Sequence, residues 1–385
     1  MKNLNIISSF LITACTLLTS CSKWTETEIK EPLSLVGTNK SEAYYKQLRE
    51  YKKTDHAVAF GWFGNWTGTG SSLQGSLAGL PDSVDFVSLW GGWKNPTAEQ
   101  IKDLRFVQEV KGTKALACGL IFDIGDQITP AMPKEMEKAG KTWEEWRYEY
   151  WGWSTANDEE GLKKRQAAVI KYANAICDTV YKYGYDGFDI DAEPSYAQPF
   201  QTKKELWELN KSEKDRTLMP LFVETLAKRI GPMAQDEAGR KKLLVIDGEP
   251  EAVPAKYGKY FNYFILQAYD DGSQPSKSRF SSQIDHFKSV LSVEDICKKV
   301  IITVNFESHA QTGGRPMGQI MTYAQYNPVI NGVTYRKGGV GSYHMEYEYL
   351  ATPADNVAGI DMRDMKGATY PWLRKSIQLM NPVIK

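Results

Sequence analysis

The chain reads as a single α/β catalytic domain of the (β/α)8 TIM-barrel class, on three observations. Eight short β-rich apolar runs recur along it, helix-length segments separate them, and several runs are apolar almost throughout, as parallel strands covered on both faces should be. The runs are Ala57 to Phe63, Val84 to Trp90, Lys114 to Phe122, Gly187 to Glu193, Leu243 to Asp247, Tyr263 to Tyr269, Val300 to Phe306 and Gly339 to Tyr343. Before the fourth, Leu162 to Tyr183 places Val169, Ala173, Ile176 and Val180 on one helical stripe, with Gly184 positioned to end it. A doubly wound open sheet would give much the same string. Such sheets usually carry a glycine-rich phosphate loop after the first strand, and Gly61-Trp62-Phe63-Gly64-Asn65-Trp66 lacks that spacing. Residues 123–157 are too long for a plain connection and read as a partly helical insertion. Its Trp143, Trp146, Tyr148, Tyr150, Trp151 and Trp153 either form a sugar platform at the barrel mouth or pack the insertion onto the barrel.

The N-terminus has a different character. Lys2 precedes an apolar run from Leu4 to Leu18, too short to span a bilayer, so residues 1–20 read as a secretory signal peptide. Leu18-Thr19-Ser20-Cys21 resembles a bacterial lipobox, which makes Cys21 the expected lipidation site and the membrane contact a lipid anchor only. Cys15 is a rival position with a shorter apolar run before it. Residues 21–50 are polar and charged, without sustained apolar periodicity, and read as a tether to a barrel domain over 51–385. Cys118, Cys177 and Cys297 each lie inside an apolar stretch and are expected as buried free thiols.

Composition narrows the partners. With 47 basic against 47 acidic residues in a chain of 385, no net field favours nucleic acid or anionic lipid, and a neutral partner such as sugar fits better. The 11 Trp and 21 Tyr suit sugar rings, although most aromatics in a barrel are core.

The chemistry concentrates in Asp186-Gly187-Phe188-Asp189-Ile190-Asp191-Ala192-Glu193. Alternate side chains of a strand share a face, so Asp189, Asp191 and Glu193 point one way, roughly 6.6 Å apart along the strand, and Phe188 and Ile190 point the other. Three carboxylates on the inward face of a barrel strand repel, so at least one holds a proton near neutral pH, as a general acid must. The row also sits at the C-terminal strand end, where barrel enzymes place their chemistry. Asp186, of opposite parity, fits a cap at the strand entry. A structural carboxylate network or a metal site is the alternative. His56, His286, His309 and His344 form no metal-binding pair, and neither metal nor cofactor is expected.

This motif resembles the complete fourth-strand signature of glycoside hydrolase family 18. The resemblance implies that Glu193 protonates the glycosidic oxygen, Asp191 orients the substrate 2-acetamido group, and Asp189 supports Asp191. The acetamide oxygen is then the nucleophile, with retention of configuration. In the sixth run, Gln267-Ala268-Tyr269-Asp270 is similar to the family's acetamide-binding strand, giving Tyr269 that contact; a core tyrosine is the alternative. Gln267, where many chitinases of the family carry Met, tilts the reading toward endo-β-N-acetylglucosaminidases acting on N-glycans or other GlcNAc-containing glycoproteins. So does Gly338-Gly339-Val340-Gly341-Ser342-Tyr343, which lacks the Trp that chitinases commonly place there and leaves Tyr343 as site floor or as packing. Trp62 and Trp90, near the ends of the first two runs, join Gln267 and Tyr343 as substrate-binding candidates. Ser88-Leu89-Trp90-Gly91-Gly92-Trp93 is only loosely similar to the family's Ser-x-Gly-Gly motif and follows the second run instead of the third. With the lipobox, the barrel resembles lipid-anchored endoglycosidases of Gram-negative bacteria, which implies an outer-membrane or cell-surface location. A chitinase of the same mechanism and a non-catalytic glycan-binding lipoprotein are the alternatives.

Overall fold

The eight runs form β1 (Val58–Phe63), β2 (Phe86–Trp90), β3 (Lys114–Leu120), β4 (Gly187–Ala192), β5 (Leu243–Gly248), β6 (Tyr263–Gln267), β7 (Val300–Asn305) and β8 (Gly339–Tyr343). In the computed structural model, residues 40–381 are described apart from 69, 71, 195, 197–217 and 270–276. The strands close into one parallel barrel, each paired with its sequence neighbours and β8 with β1. This is the expected (β/α)8 fold. β4 and β6 stop one or two residues short of their apolar runs, because Glu193 and Tyr269 leave the ladder at its C-terminal end and line the mouth instead.

Strand parity sorts two cores. Phe188, Ile190, Leu244, Ile246, Phe264 and Leu266 face outward into the layer shared with the helices, whereas Phe60, Trp62, Phe86, Leu116, Val245, Ile265 and Ile301 fill the barrel interior. That interior is crowded: a Cβ on Gly341 would meet Phe60 Cδ1 at 2.6 Å, so this glycine of β8 makes room for the Phe60 ring of β1.

The helix before β4 spans Glu159–Tyr183, three residues longer than its apolar stripe. Asp158 caps its start by accepting the Gly161 N–H at 2.6 Å, and Gly184 ends it in the left-handed region at φ 67°. Leu162, the expected first residue, is exposed on its second turn. The insertion holds short helices at Lys134–Lys138 and Trp143–Trp151. At the N-terminus the boundary at residue 50 is corrected: Glu42–Tyr51 is a helix with Tyr45 buried. Its Arg49 donates to the carbonyl of Val110 and its Lys52 to that of Val84, which places it at the N-terminal end of the barrel strands, opposite the mouth. Cys118, Cys177 and Cys297 are buried free thiols, as expected. Among the described residues no helix is long and apolar enough to cross a membrane.

Candidate active site

The carboxyl row of β4 points into the barrel as its parity requires. Asp189 pairs in register with Cys118 and Val245, and Asp191 one step higher with Leu120 and Asp247. Asp189 is fully buried; Trp62 Nε1 and Ser88 Oγ donate to its Oδ2 at 3.1 and 2.6 Å. Asp191 is buried above it and hydrogen-bonded to half-buried Glu193. Gln267 Nε2 donates to Asp247 Oδ1 at 2.9 Å, and the same amide hydrogen-bonds Glu193. After Asp247 the chain turns at Gly248, whose φ is 82° and whose Cβ would lie 2.5 Å from the Ala192 carbonyl oxygen and 2.9 Å from Glu193 Cγ. A side chain there would displace Glu193. Asp186, at the other end of the strand, accepts from Gln108 Nε2 at 2.6 Å and from the Ala115 N–H at 2.9 Å, the tie at the strand entry that its parity indicates.

Burial dominates the electrostatics. It pushes the Asp189 carboxyl up to about 6, against the donors from Ser88 and Trp62. It raises Asp191 well above the carboxylate range, with the charges of Glu193 and Asp189 adding to it, and raises Glu193 as well. Burial and mutual repulsion thus favour the protonated form within this group of carboxyls. Tyr269 is likewise held as a phenol by burial, and so remains a hydrogen-bond donor.

Above the row opens a cavity of about 1030 Å³, lined by Asp191, Glu193, Gln267, Tyr269, Tyr343, Trp62 and Trp90. All the expected sugar-facing residues meet there, and Asp189 supports them from below. Tyr269 and Tyr343 stack with centroids 6.0 Å apart, and Trp90, 41% exposed, meets Tyr343 edge-on at 5.9 Å. Tyr343 thus both packs and lines the cavity. Asp270 and Cys21 lie outside the described residues.

The insertion aromatics divide differently, for none of them lines the cavity. Trp151 Nε1 donates to Thr129 Oγ1 at 2.8 Å and its ring meets Tyr172 of the Glu159–Tyr183 helix at 5.3 Å; Trp146 Nε1 donates to the Pro130 carbonyl at 3.1 Å. Trp151 thus packs the insertion onto the barrel, Trp146 is tied within the insertion, and Trp143 is exposed.

Several residues add to the sequence reading. Ser88, discounted because its motif follows the second strand, is a donor to Asp189. Asp247 joins the carboxyl group from β5, and its only signal in sequence is an acidic residue closing an apolar run. Glu249, Glu251, Asn305 and Glu307 also line the mouth. One oxygen each from Asp191, Glu193 and Asp247 lie within 4.8 Å of one another, close enough to share a cation. A second such group, Cys118 with Asp189 and Asp247, would need a thiolate that burial strongly disfavours.

Comparison with known proteins agrees with this geometry. Residues 25–356 match the family described as "Glycoside hydrolase family 18, BT1044-like". The solved structure of BT1044, a selenomethionine form with one Glu replaced by Gln, is similar at TM-score 0.66 and 37% identity, over 90% of this chain and 94% of that one. Endo-β-N-acetylglucosaminidase F2 of Elizabethkingia meningoseptica is 22% identical over 357 residues, 90% of this chain and 88% of the relative. The endo-β-N-acetylglucosaminidase of Cordyceps militaris in apo form shares the fold at TM-score 0.54 and 22% identity, over 90% and 98%. A barrel of this order, with its inward carboxyl row intact and a family match over most of its length, is a glycoside hydrolase, and the chain belongs to glycoside hydrolase family 18.

Proposed function

We propose that the enzyme is an endo-β-N-acetylglucosaminidase that hydrolyses the GlcNAc-β-1,4-GlcNAc core of N-linked glycans, with retention and without a cofactor. One observation carries the mechanism: Asp191 of β4 and Glu193, just past the strand's end, are hydrogen-bonded to each other. A two-carboxylate enzyme needs its pair flanking the scissile bond, about 5–5.5 Å apart for a covalent intermediate or about 6.5–9.5 Å with water between. The adjacency of Asp191 to the acid supports a role in receiving an acetamide N–H, with the attacking atom supplied by the substrate.

Glu193 gives its proton to the glycosidic oxygen as the C1–O bond breaks and the acetamide carbonyl oxygen bonds to C1, forming an oxazolinium. Asp191 accepts the acetamide N–H and stabilises the positive charge, and the Tyr269 hydroxyl donates to the acetamide. Water then attacks C1, the bond from C1 to the acetamide oxygen breaks to regenerate the acetamide, and the Glu193 carboxylate takes the water's proton, which restores the acid. Trp90 and Tyr343 offer flat faces to the neighbouring sugars. Gln267 and the absence of a Trp ending β8 favour N-glycans over chitin, and the similarity to the two endo-β-N-acetylglucosaminidases supports the same substrate class. Incubation with high-mannose glycoproteins, complex-type glycoproteins and chitin oligomers, with products identified by mass spectrometry, tests this. One GlcNAc left on the protein supports it; cleavage of chitin oligomers alone contradicts it.

Residues 1–20 are proposed as a signal peptide and Cys21 as the lipidated residue of a protein anchored at the outer membrane or cell surface of a Gram-negative bacterium. Cys21→Ala should release the protein from the membrane fraction; a variant that still needs detergent defeats the anchor.

A further inference from the structure

Asp247 ends the inward row Leu243, Val245 of β5, pairs in register with Asp191 and is fully buried. It does not line the cavity, so it acts only through its neighbours. Its Oδ1 is taken by Gln267 Nε2 at 2.9 Å, and that amide also bonds Glu193. Its Oδ2 has no donor, and neither has Oδ1 of Asp191 nor Oδ1 of Asp189. These groups face one another: one oxygen of Asp247 is within 4.8 Å of oxygens of Asp191 and Glu193, and one is within 4.8 Å of an oxygen of Asp189 and the Cys118 sulfur. Buried carboxyl oxygens that face each other repel unless one carries a proton, and a carboxylic O–H then supplies the missing donor.

We propose that Asp247 is a positioning residue for the reaction: it keeps a proton between itself and Asp191, and it holds the Gln267 amide against Glu193. The proposal rests on the endoglycosidase reading of the cavity and adds a residue to it. By donating to Asp191, Asp247 leaves that carboxylate ionised to receive the acetamide N–H. By fixing Gln267 it aims the acid. The titratable groups facing Asp247 are Asp189, Asp191 and Glu193 from β4 and its end, Cys118 from β3, and Tyr269 after β6. Burial and the carboxylates among these favour the protonated form of Asp247.

Two substitutions separate positioning from mere packing. Asp247→Ala removes both the donor and the amide clamp, and should lower kcat about 10-fold to 100-fold with KM little changed, the effect of one charge-assisted hydrogen bond. Asp247→Asn keeps an N–H toward Asp191 and a carbonyl for Gln267, and should restore most of that loss. The acid limb of the kcat profile, set by ionisation of Asp191, should move in opposite directions: up in Asp247→Ala, where Asp191 loses its donor, and down in Asp247→Asn, where the donor is permanent. Infrared spectroscopy of the free protein near neutral pH should show a buried carboxylic C=O band that Asp247→Asn removes, a readout that needs no substrate and holds even if the Ala variant fails to fold. An unchanged band in Asp247→Asn, or acid limbs that coincide in the two variants, overturns the proposal. Loss of the band in a protein whose native form cleaves no glycan overturns the functional reading instead and leaves the shared proton standing.

Discussion

Asp103 and Asp247 are both fully buried, yet their surroundings differ in kind. Asp103 takes four donors, from Trp66 Nε1 at 2.9 Å, Ser76 Oγ at 2.6 Å, the Leu77 N–H at 2.7 Å and the Ala78 N–H at 2.9 Å, and each of its oxygens takes two of them. Its charge is answered, and it ties the loop after β1 to the helix Ala98–Phe106. In the barrel mouth, Asp189, Asp191 and Asp247 each keep an oxygen with no donor and meet other carboxyl groups instead. Burial alone therefore does not mark a site. Burial with the charge left for protons and substrate to answer does.

Substitutions should separate the two kinds of carboxyl. Glu193→Gln keeps shape and folding but removes the transferable proton; hydrolysis should fall ~100-fold to 10,000-fold while glycopeptide affinity remains, as rate and binding measured on one substrate will show. An unchanged rate would move the acid elsewhere. Asp103→Asn should do the converse, turning an amide N–H toward donors and lowering stability by about 3 kcal/mol in denaturant unfolding, with kcat per folded molecule kept. Ser88→Ala lies between. It removes one donor from Asp189 and should reduce kcat about 10-fold with KM little changed, since Ser88 does not line the cavity.

Substitution of Glu348 should leave activity untouched and gives the clearest pH test. Its Oε2 accepts the N–H groups of Trp372 and Leu373 at the start of the helix Pro371–Met380, yet burial pushes its carboxyl from 4.5 to about 8. A raised value in the folded state stabilises fully below 4.5, and that contribution fades as pH rises through about 8. Glu348→Gln should flatten the dependence of Tm on pH across that window and leave kcat unchanged. A Tm that falls in parallel with the native protein would remove Glu348 from the cause.

How much of this the chain shows by itself follows from range. The eight strands, the helix ended by Gly184 and the row Asp189, Asp191, Glu193 are legible because apolar runs and a period of two are local properties. Asp247 and Ser88 are not, since their place depends on register between strands and on distances across the barrel. The helix Glu42–Tyr51 escapes notice because Tyr45 alone is buried in it; the Ser41 cap and polar ties from Arg49 and Lys52 hold the rest. In the insertion, aromatic composition fits a sugar platform as well as packing, and for Trp151 only its contact with Tyr172 decides between them.

Oxazoline transfer by the native protein and by Asp191→Asn tests the central claim, substrate-assisted cleavage at Glu193, most directly. A preformed sugar oxazoline bypasses the step in which Asp191 orients the acetamide, so hydrolysis of glycopeptide should fall sharply in Asp191→Asn while transfer from the oxazoline to an acceptor GlcNAc persists. Peptide mapping of the native enzyme during turnover should find no sugar ester. A glycosyl ester on Asp191, or no use of the oxazoline by either protein, would contradict the mechanism.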